Sequence, residues 1–180
     1  MENEEKARVS KYVSYLLRHN PEDLKMDDQG FVDLDDLISK VKRRFPHTNR
    51  RLLTKIINES ERKRFEIAEN KIRALYGHTV PVHIHLNEDT QIIRLYHGKT
   101  PQAAQEIHEK GLQPMKRRWV HLSPTEEIAM EVGKRRTNTP LVLLIDASEA
   151  SKDGIRFYRV TDKVYVCKHG TAKYIKTSHA

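Results

Sequence analysis

The chain has 180 residues, 37 % of them apolar and 32 % charged, which excludes a disordered polypeptide and leaves a globular one long enough to bury a real core. Its 33 lysines and arginines outnumber 25 acids, and the formal charge of +8 favours an anionic partner, nucleic acid or nucleotide. Apolar runs such as "PLVLLI" at 140 to 145 are only strand-sized, and the acidic start "MENEE" is not that of a signal or transit peptide, so a cytoplasmic location without membrane attachment is expected.

Residues 8 to 19 read as a helix, with Tyr12, Val13, Leu16 and Leu17 at helical spacing and Pro21 preventing continuation past Asn20. It ends in "YLLRHNP", which sets Arg18 and His19 on a rigid helix end. Cations in a last turn complement the helix dipole, so this pair has a purely structural reading as well. A second helix is expected over "FVDLDDLISKVKRRF" at 31 to 45, and a third over "TNRRLLTKIINES" at 48 to 60, with Thr48 as its N-cap. Beyond it the period changes to alternation in "RFEIAENKIRAL", which predicts a hairpin turning at "ENK". Three helices followed by a two-stranded wing is a winged-helix pattern, a frequent nucleic-acid grip.

From about Val80 the texture becomes strand-rich. Strands are expected in "VPVHIHL" (80 to 86), "QIIRLYHG" (91 to 98), "WVHLS" (119 to 123), "PLVLLID" (140 to 146) and "DKVYVCK" (162 to 168), with helices over 101 to 110 and 124 to 135. The expected fold class is α+β, with an N-terminal winged-helix lobe over 1–78 and a mixed α/β lobe over 79–180.

Common catalytic motifs are excluded one by one. "HGKT" at 97 to 100 lacks the first glycine of a P-loop, whose place is taken by Ile93. His83 and His85 have no third metal ligand at suitable spacing, so no metal is expected. Cys167, the only cysteine, excludes an internal disulfide and has no base at readable spacing, and no G-x-S-x-G elbow is present. Basic residues gather at 40 to 51, at 116 to 118 and at 134 to 136, each cluster also readable as a solvated surface.

Taken in order, "LLRHNP", "KRFEI", "IRALYGH", "LYHG", "GLQPMKRRWVHLS" and "EVGKRR" closely resemble the RNA 2′-phosphotransferase family, the KptA-type enzymes that remove a 2′-phosphate from RNA, tRNA included, using NAD as co-substrate. The resemblance runs from about residue 9 to the strand near 168. It implies a winged-helix RNA-binding lobe followed by a lobe similar to ADP-ribosyltransferases. It further implies a basic catalytic set of Arg18, His19, Arg64 and Arg135, and an NAD site around His97, Gly98, His121, Leu122 and Ser123. Arg73 and His78 fall where RNA would be contacted, and a monomer is expected. A glycine at 98 also suits close approach of a pyrophosphate to the backbone.

Three positions depart from the commonest family pattern: Lys99 in place of threonine, Tyr76 in place of glutamine, and "RRTNTP" after Gly133, which leaves Arg136 as an alternative to Arg135. The reaction implied by the resemblance has two steps: attack of the RNA 2′-phosphate on the ribose carbon bearing nicotinamide, then transesterification giving 2′-hydroxyl RNA and ADP-ribose 1″,2″-cyclic phosphate. Two other classes remain open on the residues alone. One is a non-catalytic winged-helix nucleic-acid binder, the other an ADP-ribosyltransferase acting on nucleic-acid phosphate ends.

Overall fold

Helix α1 (Glu2–Arg18) buries Val9, Val13, Leu16 and Leu17 completely, a stripe at helical spacing worth about 1.5–3 kcal/mol for each large side chain. It starts six residues before the expected helix over 8 to 19, and it ends where Pro21 forbids continuation, with the amides of His19 and Asn20 bonded to the Tyr15 carbonyl. The structure, a computed structural model, describes residues 2–60 and 63–178, and the chain divides into two compact units, Met1–His85 and Leu86–Ala180.

In the first unit, Val32 and Asp33 are not the opening of a helix as the pattern predicts. They form strand β1 (Val32–Asp33), because the Asp33 carboxylate caps the following helix from an extended backbone, accepting from the amides of Asp35 and Asp36 at 2.8 and 3.0 Å. Helix α2 (Leu34–Arg44) then buries Leu34, Leu37, Ile38 and Val41. Helix α3 (Arg50–Asn58) is capped by Asn49, which accepts from the Leu52 amide at 2.9 Å, and not by Thr48, whose side chain is buried. The expected hairpin is present as β2 (Phe65–Ala68) and β3 (Lys71–Ala74), with β1 added against β3 to give the order β1-β3-β2. Val32 lies opposite Ile72, a pairing of buried residues 40 positions apart that no local period announces.

The segment "VPVHIHL" is not a strand. Pro81 has no amide to offer a ladder, and the His83 amide donates to the Asp28 carbonyl of a loop at 2.7 Å. The short strand β4 (Asn87–Glu88) follows, then β5 (Arg94–Lys99), α4 (Pro101–Lys110), β6 (Val120–Leu122), α5 (Glu126–Gly133), β7 (Leu141–Asp146), α6 (Ala147–Lys152), β8 (Tyr158–Thr161), β9 (Val164–Cys167) and β10 (Ile175–Thr177). All pairings in the second unit are antiparallel. They make two sheets, β10-β7-β5 and β4-β8-β9-β6, and a bridge between Tyr96 and Ser123 joins the first to the second. Leu95, Leu143, Ile145, Phe157 and Cys167 lie in the core of this unit.

Two glycines bring α5 onto β5. A Cβ on Gly98 would lie 1.8 Å from the Ala129 carbonyl oxygen and 3.0 Å from the Gly133 nitrogen, and one on Gly133 would lie 3.4 Å from the Gly98 carbonyl carbon. The backbones therefore touch. The turn after α5, residues 134 to 136, is thereby anchored beside the end of β5 that carries His97 and Lys99.

Candidate active site

The end of α1 is clamped from the segment that follows β3. The amides of Thr79 and Val80 donate to the Arg18 carbonyl at 2.9 and 3.3 Å, and the Thr79 hydroxyl donates to it at 3.3 Å. The Arg18 guanidinium lies over two rings, 4.9 Å from the centre of Tyr76 and 5.8 Å from that of Phe65. Gly77, at φ +88°, passes close alongside, and a Cβ there would meet the Arg18 Cδ at 3.4 Å. His19 is oriented by Thr79 through Nδ1 at 3.1 Å, with the Tyr15 ring 6.4 Å away. Arg18 and His19 are thus held by contacts 58 to 62 residues along the chain, which is more than dipole compensation requires.

The other residues expected in this unit are placed less centrally. Arg64 donates to the Ser10 hydroxyl at 3.4 Å. Ser10 is eight residues before Arg18, about 12 Å along α1, so the Arg64 guanidinium points away from the helix end instead of joining Arg18 there. Arg73 is tied across the hairpin to Glu66 at 2.6 Å and covers the Phe31 ring at 4.4 Å. His78 is buried beside Gly30.

In the second unit, His97 and His121 belong to one arrangement. The His97 Nδ1 is 2.8 Å from the His121 carbonyl oxygen, which can only accept, so the proton sits on Nδ1 and the lone pair on Nε2. Burial, then the nearby Lys99 and Arg117 charges, push the His97 pKa down to about 4, so the ring is neutral at pH 7. His121 in turn accepts through Nδ1 from the Arg117 guanidinium at 3.5 Å. Leu122 points into the core, and the Ser123 backbone pairs with Tyr96 in both directions at 2.8 Å, which fixes the register of β5 beside β6.

Gly98 has a different task from the one expected. Its missing side chain makes room for α5, not for a ligand, although it still places its neighbours His97 and Lys99. Arg135 lies in the turn anchored by that packing. Arg117 was legible only as part of a basic cluster. Its partnership with His121, four residues on, comes from the irregular chain leading into β6.

Cys167 is buried in the core and its thiol is pushed up to about 12 by that burial, which leaves it inert as a nucleophile.

The order and spacing of these elements match a known family. Residues 4–169 fit the model of the RNA 2′-phosphotransferase, Tpt1/KptA family. The chain belongs to this family. Among its relatives, a protein of Acetivibrio thermocellus named probable RNA 2′-phosphotransferase is 40 % identical over 174 residues, covering 94 % of this chain and 96 % of that protein. A protein of the same name from Pyrococcus abyssi is 37 % identical over 164 residues, covering 90 % of each. Another from Bacillus thuringiensis is 36 % identical over 173 residues, covering 94 % of each. The match with this family extends through both units, so the Arg18 clamp and the His97–His121 pair fall within it.

Proposed function

We propose that the protein is an enzyme that removes an internal 2′-phosphate from RNA by transferring it to NAD. The observation that carries this reading is the joining of "LYHG" and "VHLS", 24 residues apart, by the His97–His121 bond, in a surrounding of cations. We read the first unit as a winged-helix RNA-binding lobe and the second as an ADP-ribosyltransferase-like lobe. Three helices with a β-hairpin support the first assignment.

The residues of the second unit suit a phosphate-bearing nucleotide. His97 is a neutral ring with a fixed tautomer, whose Nε2 can accept from a ligand hydroxyl, and Lys99, Arg117 and Arg136 supply positive charge around it. When bound, NAD supplies an electrophilic ribose carbon with nicotinamide as leaving group. No metal enters this reading.

On the RNA side, a phosphate monoester is mostly dianionic at pH 7, its second pKa being about 6, so the task is to hold charge and not to remove a proton. Arg18 does this well. Its planar fork pairs with two phosphate oxygens at once, and the Tyr76 and Phe65 rings set the plane of that fork in advance. His19, oriented by Thr79, can move a proton at neutral pH, which the arginine beside it cannot. Transfer at phosphorus depends mainly on such positioning and charge stabilisation.

An oligonucleotide carrying one internal 2′-phosphate tests the reading when incubated with and without NAD. Phosphate is expected to leave only with NAD, in step with release of nicotinamide. Loss of phosphate without NAD, or none with it, overturns the proposal.

A further inference from the structure

Lys99 is the last residue of β5, and its side chain shares one face of the strand with that of His97 two residues earlier. It is half-buried, and among the described residues no carboxylate lies within ion-pairing distance of it. The same holds for Arg136, which is exposed in the turn after α5. That turn is brought to the end of β5 by the Gly98–Gly133 contact and closed by the Arg136 amide on the Gly133 carbonyl at 2.9 Å. From the other side, Arg117 reaches the same strand end through His121, whose carbonyl holds His97. Three chain segments thus deliver cations to one place.

A partly desolvated ammonium surrounded by like charge is costly to keep unless an anion completes it. Burial, with Arg117 and Arg136 after it, lowers the Lys99 pKa from its ordinary value. A phosphate carrying one or two negative charges reverses that balance, and an ammonium has three donors to offer its oxygens.

We propose that Lys99 and Arg136 form a seat for the pyrophosphate of a dinucleotide at the end of β5. The identity of that dinucleotide as NAD rests on the function proposed above, whereas the seat itself rests on the cluster. Charge is placed here to recognise the phosphates, while His97 beside it serves a hydroxyl.

Calorimetry on the full chain tests this with three probes: ADP-ribose, adenosine and inorganic pyrophosphate. Lys99→Gln is expected to weaken ADP-ribose by about 10- to 100-fold, the effect of one charge-assisted contact, and to leave adenosine unchanged. Lys99→Arg should retain most of the affinity. Arg136→Gln, at an exposed position that tolerates change, should weaken ADP-ribose and pyrophosphate in the same sense, and serves if Lys99→Gln fails to fold. ADP-ribose binding that is unaltered in folded Lys99→Gln or in Arg136→Gln overturns the seat. Pyrophosphate binding that the parent has and Lys99→Gln loses upholds it even if NAD itself fails to bind, an outcome that would count against the proposed function alone.

Discussion

Arg18 is the residue on which most local structure converges: a carbonyl clamped by two amides, a guanidinium over two rings and a glycine pressed against its side chain. Replacing it by alanine is expected to slow phosphate loss more than nicotinamide release. Losing one preorganised donor where charge develops costs about 100- to 1,000-fold, whereas expulsion of a cationic leaving group needs the phosphate only to be in line. Arg18→Lys should rescue in part, since an ammonium lacks the bidentate fork. Rapid-quench measurement of both products checks this; equal slowing of the two with weaker RNA binding would make Arg18 a docking residue. Tyr76 acts through Arg18. Tyr76→Phe keeps a ring under the guanidinium and should leave kcat nearly unchanged, while Tyr76→Leu should lower kcat by about 2- to 30-fold, the range of a cation–π contact, with KM for NAD unaltered. A kcat for Tyr76→Leu equal to that of the parent would remove the ring from the mechanism.

At the scale of elements, the contact between β5 and α5 governs the second unit. Gly98→Ala drives a methyl to within 1.8 Å of the Ala129 carbonyl oxygen, so the helix must move off the strand. Overpacking of this kind costs about 1–3 kcal/mol or more, which for a unit of this size lowers Tm by on the order of 10 °C. Differential scanning calorimetry measures it. A variant that melts with the parent yet binds nucleotide weakly would return Gly98 to the role of ligand cradle. The hairpin and the third helix show the complementary case, in which local chemistry suffices. Asn49 caps α3 because its carboxamide reaches the Leu52 amide, while the adjacent Thr48, an equally good capping type, is turned into the interior.

For the whole molecule, protonation and salt are the informative variables. The His97 pKa lies near 4 in the folded protein against 6.5 for the ordinary group. The unfolded chain therefore takes up this proton first as pH falls, so the stability His97 contributes is fully present above pH 6.5 and is lost progressively down to about pH 4. Urea denaturation across that range should show the loss, and His97→Asn, which keeps a donor for the His121 carbonyl but does not titrate, should flatten it; an equal slope in the variant would assign the loss to other groups. The charge of +8 predicts that RNA binding weakens with salt, with a log-log slope of roughly 0.7 per phosphate contact on single-stranded RNA. Replacing Arg50 and Arg51 by glutamine should reduce the slope if the basic cluster at 40 to 51 meets phosphate. Arg50 is already engaged with Asp35 at 2.7 Å, so Arg51 is expected to carry most of the change.

The order of amino acids by itself determined whatever depends on neighbours three or four residues apart in helices and two apart in strands: the α1 stripe, the α2 and α3 faces, the β2–β3 hairpin, α4 and the β5, β6, β7 and β9 strands. It also carried the family, because motif order and spacing survive where single motifs are generic. Tertiary structure decided the remainder, and in each case the deciding contact joins residues far apart in the chain. Val32 became a strand because Ile72 lay opposite; "VPVHIHL" did not, because Pro81 could not join a ladder and Asp28 took the His83 amide. Arg64 turned toward Ser10, Gly98 gave its space to Ala129, and Lys99 gained Arg117 and Arg136 as neighbours. A local period states which face of an element is apolar. It carries no information about which distant backbone or charge will be pressed against that face, and the chemistry of this site is made of such meetings.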